Sequence, residues 1–245
     1  MKIETQQLMS DAVRSILAAA VLGVAVSWIA RVALGLDQQY LFRIAGLLCM
    51  GAPLLLWRLA AYHPFNRLGI ANHITIARGV LTALLAGSIG LGAEPRLQFA
   101  AFVTGMIASA LDGADGWSAR RTRMSSSYGA RLDMETDALL ILVLSFLAWQ
   151  FDKAGAWVIA SGLLRYAFVA ATWIFTWMQR PLPPSRRRKA VAAIQTIALV
   201  TAIAPIVPAP LSTTICAVSL VLLAWSFLID SAWLKRHASD APAVN

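Results

Sequence analysis

Charge is scarce in this chain, and cysteine scarcer. Only 13% of its 245 residues are charged and 59% are hydrophobic, whereas a soluble domain is about a quarter charged and about half apolar. That composition, with a mean hydropathy of +0.67, excludes an ordinary water-soluble globule. The two cysteines, Cys49 and Cys216, lie alone in apolar runs, so neither a disulfide framework nor a cysteine metal centre follows. Acidic residues number 12 against 21 basic ones, a net charge of +9. In a soluble protein that excess would suggest nucleic acid. In a membrane protein it reflects Lys and Arg kept in cytoplasmic loops, and no nucleic-acid partner is expected. Internal repeats and low-complexity tracts are also missing.

What is present is a series of apolar runs. Crossing a bilayer as a helix takes about 20 apolar residues. Mainly apolar stretches fall at about 12–35, 41–61, 74–92, 97–111, 138–151, 155–179, 190–206 and 211–234. The first is no cleaved signal peptide: it is long, its basic start (Lys2, Arg14) is weak, and another run follows at once. The fourth and fifth are too short alone and need turns from the polar segment between them. The expected fold is therefore an all-α integral membrane protein of about eight transmembrane helices. His63 to Asn72, with Pro64 and Gly69, forms a polar seam. It divides an N-terminal transmembrane hairpin (1–63) from a six-helix core (64–237), and a flexible tail (238–245) follows. If the N-terminus is cytoplasmic, the inside loops hold Arg58, Arg67, Arg120, Arg121, Arg123, Arg131, Arg180, Arg186–Lys189, Lys235 and Arg236. The outside loops keep only Arg31, Arg43, Arg96 and Lys153. Both termini are thus expected in the cytoplasm. Trp28, Trp57, Trp149 and Trp157 lie near run ends, as an aromatic belt would place them.

The chemistry sits between the fourth and fifth runs. Asp112 and Asp115 are three residues apart, Asp133 and Asp137 four apart, and on helices such spacings share a face. A short connection makes the two helices antiparallel neighbours, so the pairs can converge. Four carboxylates at membrane depth repel unless neutralised, and hard divalent cations take oxygen ligands of this kind. Helix-end carboxylates are often solvated caps, and a first-turn dipole suffices to hold Asp133 and Asp137. That account leaves Asp112 and Asp115 unexplained.

Asp112-x-x-Asp115-Gly116-x-x-Ala119-Arg120, eight residues, then Gly129-x-x-x-Asp133-x-x-x-Asp137 resembles the complete signature of the CDP-alcohol phosphotransferases. The resemblance implies a six-helix core over roughly 66–234. It also implies transfer of a substituted phosphate from a CDP-linked donor to an alcohol hydroxyl, with release of CMP. By the same resemblance Asp112, Asp115 and Asp133 hold two divalent cations, Mg²⁺ or Mn²⁺, while Asp137 touches a cation and acts as general base. Gly116, Ala119 and Gly129 leave room for a nucleotide against the backbone, and Arg120 offers a fork to phosphate. Small residues serve close membrane packing equally well. Asn72-x-x-Thr75-x-x-Arg78 resembles the family's first core helix, where such residues help line the nucleotide pocket. Asn72 also suits a helix cap.

On the acceptor side, Pro184-Ser185-Arg186-Arg187-Arg188-Lys189 precedes Gln195. The cluster reads either as a positive-inside loop or as a site for an acidic group. Many relatives carry Lys-x-x-Thr-x-x-Gln here; this chain keeps Lys189 and Gln195 but has Ala192 at the threonine place. Arg165 is the basic residue well inside a run and should face the bundle interior. With Arg188 or Lys189 it is a candidate phosphate contact, or else it pairs internally. His63, His73 and His237 form no spaced metal set, and His73 reads as structural.

The resulting expectation is an inner-membrane, multi-pass enzyme of phospholipid biosynthesis. CDP-diacylglycerol is the expected donor and a small polar alcohol the acceptor, with the basic cluster favouring a phosphorylated one such as glycerol 3-phosphate. Family members are often dimers, so the resemblance also admits a homodimer. A CDP-aminoalcohol phosphotransferase acting on diacylglycerol is the alternative within the family. From another class, a small ion or metal transporter would place polar groups near the midplane of several helices, whereas these carboxylates crowd one end. A non-catalytic scaffold would make the aspartates dispensable. Whether the N-terminal hairpin regulates, dimerises or anchors is left open.

Overall fold

A computed structural model of the chain describes residues 2–57, 59–122, 124 and 126–237, and at 2–5 and 114–122 it describes the backbone alone. Every regular element among the described residues is helical. Eight are long: α1 (Lys2–Leu34), α2 (Gln38–Leu56), α4 (Ile70–Gly87), α5 (Pro95–Thr122), α6 (Ser127–Gln150), α7 (Ala160–Ile174), α8 (Arg186–Ile203) and α9 (Ala209–Arg236). A single turn, α3 (Leu59–Tyr62), lies in the seam. The protein is an all-α membrane protein. Among the described residues five helices are long and apolar enough to cross a bilayer: α1, α2, α4, α7 with its leading 3₁₀ turn, and α9. The other three carry their charges within the helix: the acidic stretches of α5 and α6, and Arg186 to Lys189 opening α8.

Several boundaries move relative to the apolar runs, each for a local reason. α1 begins at Lys2 rather than near residue 12 because its polar start still has an inner stripe. Leu8, Ala12 and Ile16, spaced at i, i+4 and i+8, are buried with Leu59, Leu68, Ile76 and Tyr128. The seventh helix is shorter than its run of 155–179. Residues 156–159 form a 3₁₀ turn, and Phe175 (φ −106°, ψ 107°) ends the helix before another 3₁₀ turn at Thr176–Met178. The aromatic and β-branched stretch Trp173 to Trp177 is poor helix material. α5 and α6 absorb the polar segment between the short runs, so 28 and 24 residues are helical there. Before α4 the chain turns at Gly69 with φ +83°, a conformation that L side chains resist, with the Met124 side chain 3.2 Å from where a Cβ would sit.

α6 is the central helix, packed against α4, α7 and α8, with α5 lodged between α4 and α8. The core between them holds Leu97, Ala101 and Ala108 of α5, Leu140, Leu144 and Leu147 of α6, and Leu199 and Ile203 of α8. Large side chains such as Leu17, Val21 and Ile29 on α1, Phe42 and Met50 on α2, and Trp173 on α7 are exposed, as lipid-facing surfaces require. One end of the bundle is latched by polar groups. Gln150 Nε2 donates to Ser88 O and Gly92 O, its Oε1 accepts from Gly90 N, Arg43 Nη1 donates to Ile89 O and Lys153 Nζ to Val207 O. The carboxylates lie at the other end.

α6 and α7 meet where Gly162 has no side chain. A Cβ there would lie 2.4 Å from Leu142 Cα, and backbone has no rotamer with which to yield. Gly162→Ala is expected to destabilise the fold by about 1–3 kcal/mol, seen as a lower melting temperature in detergent; an unchanged melt would mean the helices separate freely.

Candidate functional site

Asp133 and Asp137 stand about two and three turns into α6, one and two turns after Gly129. The helix starts at Ser127, so the first-turn dipole does not account for them. Ser126 caps α6, its Oγ accepting from Gly129 N at 3.0 Å. Among the described residues α5 and α6 meet mainly across α4 and α8, on which both pack, rather than as the direct neighbours the short connection suggested, and Asp112 of α5 reaches the α6 pair from there. One oxygen from each of Asp112, Asp133 and Asp137 lies within 4.8 Å of the others, and the three side chains are 31–40% exposed. This hard-oxygen set fits a divalent cation such as Mg²⁺ or Mn²⁺. The side chains of Asp115, Gly116, Ala119 and Arg120, expected to complete the site, lie outside the described residues.

Arg78 of α4 reaches into the carboxylates. Its side chain is 1% exposed; Nη1 donates to Asp133 Oδ1 at 2.7 Å, Nη2 lies 3.0 Å from Asp112 Oδ1, and Nη2 also pairs with Asp137 Oδ1. The apolar run had placed Arg78 near a helix boundary, leaving Arg165 as the arginine well inside. With α4 starting at Ile70, Arg78 lies eight residues into the helix, so Arg165 is not alone in standing well inside one. The signal was available: Asn72, Thr75 and Arg78 recur at i, i+3 and i+6 on one helix side, and all three are buried.

Asn72 is 3% exposed and is not the N-cap, a place taken by Gly69. Its Nδ2 donates to Leu68 O at 2.5 Å, and its Oδ1 lies 2.7 Å from where a Cβ on Gly129 would be. Gly129 therefore admits the Asn72 amide between α4 and α6. Thr75 Oγ1 donates to Ala71 O at 3.0 Å.

The basic residues divide differently from the expectation. Arg165 Nη2 donates to Glu135 Oε1 at 2.5 Å. Glu135, two residues from Asp133 and from Asp137, points off their face. Arg188 Nη1 donates to Asp230 Oδ1 at 3.2 Å and its Nη2 to Pro183 O. Arg187 adds bonds to Ser226 O, Ser226 Oγ and Asp230 Oδ1 at 2.7, 2.6 and 2.5 Å. Arg165 and Arg188 thus pair with carboxylates on different helices, while Arg186 and Lys189 are exposed. Gln195 is fully buried, and neither amide atom has a hydrogen-bond partner among the described residues.

The N-terminal segment grips this region through residues that the sequence pattern passed over. His63, buried, lies 2.9 Å from Ser126 Oγ through Nδ1 and 2.8 Å from Arg67 O through Nε2. A carbonyl only accepts, so Nε2 carries the proton and, in the neutral ring, Nδ1 accepts a hydrogen bond from the Ser126 hydroxyl. Asp11 Oδ2 accepts from Leu68 N at 2.8 Å, Ser15 Oγ lies 2.9 Å from His73 Nε2, and Tyr128 OH donates to Leu55 O. α1 and the seam therefore hold both the start of α4 and the cap of α6.

Residues 68–228 match the profile of the CDP-alcohol phosphatidyltransferase family. The chain is 31% identical over 101 residues to a CDP-diacylglycerol--glycerol-3-phosphate 3-phosphatidyltransferase of Bacillus subtilis (strain 168), covering 37% of this chain and 52% of that protein. The match thus spans about half the length of that relative. No solved structure matches.

Proposed function

Because this chain belongs to the CDP-alcohol phosphatidyltransferase family, we propose that it transfers the phosphatidyl group of CDP-diacylglycerol to the hydroxyl of a small polar alcohol, with release of CMP. The observation that carries the reading is the convergence of Asp112, Asp133 and Asp137 within 4.8 Å, at the spacing of the family signature. The substrate named for the Bacillus subtilis relative, with the exposed Arg186 and Lys189, favours glycerol 3-phosphate as acceptor. A transporter is disfavoured because the acidic cluster sits toward one end of α5 and α6 rather than spread across helix midplanes.

In this reading Asp112, Asp115, Asp133 and Asp137 would hold two divalent cations, Mg²⁺ or Mn²⁺. When bound, such cations offset the pyrophosphate charge and that developing on the leaving phosphate. Asn72, Thr75, Gly116, Ala119, Arg120 and Gly129 line the nucleotide side, with Gly129 keeping α4 and α6 close. The acceptor oxygen attacks the phosphorus that bears diacylglycerol, and a new P–O bond forms. The pyrophosphate P–O bond breaks, CMP departs, and Asp137 takes the hydroxyl proton. Arg165, Arg188 and Lys189 form the acceptor side, the first two through reorganisation of their pairs with Glu135 and Asp230.

The topology that suits this chemistry is an inner-membrane, multi-pass chain with both termini and the carboxylates cytoplasmic. Its N-terminal hairpin occupies 1–63 and its core 64–237; the tail, 238–245, lies outside the described residues. Support comes from the family match starting at residue 68 and from the crowding of Arg186–Lys189, Lys235 and Arg236 toward the Asp230 end of α9, opposite its Lys153 end, where the positive-inside rule places the cytoplasm.

The test is CMP release by the purified protein in detergent with Mg²⁺ or Mn²⁺ and CDP-diacylglycerol. Glycerol 3-phosphate, serine, inositol phosphate, choline and phosphatidylglycerol would be offered one at a time. Release dependent on glycerol 3-phosphate is the expected result. Release with another acceptor would correct the substrate, and silence with all of them would sink the proposed donor.

A further inference from the structure

The geometry points to Arg78 as the site's own countercharge: it holds Asp112, Asp133 and Asp137 together while no divalent cation is bound, and it sets how tightly the cation is held. This inference rests on the metal reading above. Arg78 is 1% exposed and lies in the middle of a helix, a position an arginine keeps only when its charge is matched. Its match is the set of residues that offers cation ligands. One guanidinium, entering from α4, contacts Asp112 of α5 and both Asp133 and Asp137 of α6. Only a planar fork reaches several carboxylates at once; a lysine presents a single point charge.

Two consequences follow from Coulomb's law and point the same way. A fixed positive charge among the ligands relieves their mutual repulsion in the cation-free state, and it also repels an arriving cation. With Asp115 counted as in the reading above, four carboxylates and one guanidinium leave three negative charges, so the two divalent cations meet less than the full attraction of four carboxylates. Arg78 therefore makes the cation exchangeable and keeps α4, α5 and α6 assembled between occupancies. Its burial behind the carboxylates argues against the alternative task of meeting a nucleotide phosphate directly.

The experiment uses the full-length protein in detergent with Mn²⁺ alone, without nucleotide. Free Mn²⁺ is followed by electron paramagnetic resonance, and melting temperature is recorded with and without Mn²⁺, for wild type, Arg78→Gln and Arg78→Lys. Arg78→Gln is expected to bind Mn²⁺ about tenfold more tightly than wild type. It should melt about 5 °C or more below wild type without Mn²⁺ and recover most of that deficit with it. Equal or weaker affinity, or a deficit that Mn²⁺ leaves unchanged, would overturn the countercharge role while the metal reading stands. Absence of Mn²⁺ binding to wild type and variant alike would remove both. If Arg78→Gln survives purification only with Mn²⁺ present, the inference is upheld in its strongest form. If it is lost even then, Arg78→Lys decides by the same criterion: a deficit that Mn²⁺ closes supports the role, and one that Mn²⁺ does not touch overturns it.

Discussion

Asparagine in place of Asp137 is expected to lower kcat by about a thousandfold, within the span that a positioned base contributes, while CDP-diacylglycerol still binds. The substitution is nearly isosteric and keeps an oxygen to accept from Arg78, so the ion-pair cluster loses one charge without losing its shape. What it removes is the ability to take the acceptor's proton. Measurement at saturating Mn²⁺ separates this loss from weaker cation binding, and a KM for donor close to wild type would localise the defect to the chemical step. Asp152→Asn is the control. Asp152 lies beside Gly90 and Gln150 at the opposite end of the bundle, at φ +54°, a conformation asparagine accepts; its turnover should match wild type. Turnover of the Asp137 variant within tenfold of wild type would remove Asp137 as the base.

Stripping divalent cations with excess EDTA is expected to bring CMP release to background, and added Mg²⁺ or Mn²⁺ to restore it. Two carboxylates about 5 Å apart repel by on the order of 3 kcal/mol at an effective dielectric near 20, and three such pairs meet here. Arg78 offsets part of that repulsion, so the cation-free protein should stay folded but cannot neutralise a pyrophosphate as well. The melting temperature would then fall modestly while activity disappears. Full activity in excess chelator would defeat the metal mechanism.

Much of the protein was legible without coordinates. Composition made it a membrane protein, and the apolar runs correspond to the eight long helices among the described residues, five of them long and apolar enough to span; the spacing of Asp133 and Asp137 put them on one face because helical periodicity is a local property. The signature from Asp112 to Asp137 identified the family for the same reason: each of its members is defined by near neighbours in the chain.

What only tertiary structure decided is where buried charges find their partners. Arg78 meets carboxylates 55 and 59 residues away, and Arg165 meets Glu135, 30 residues away. Arg188 turns to Asp230, 42 residues on. The extension of α1 to Lys2 has the same origin, since Asp11 and Ser15 find Leu68 and His73 at separations of 57 and 58 residues. Periodicity says which side of a helix is buried; it does not say which helix lies against it. In a low-dielectric interior an unpaired charge or amide is costly, so the packing of α4 against α5 and α6 chose the company Arg78 keeps.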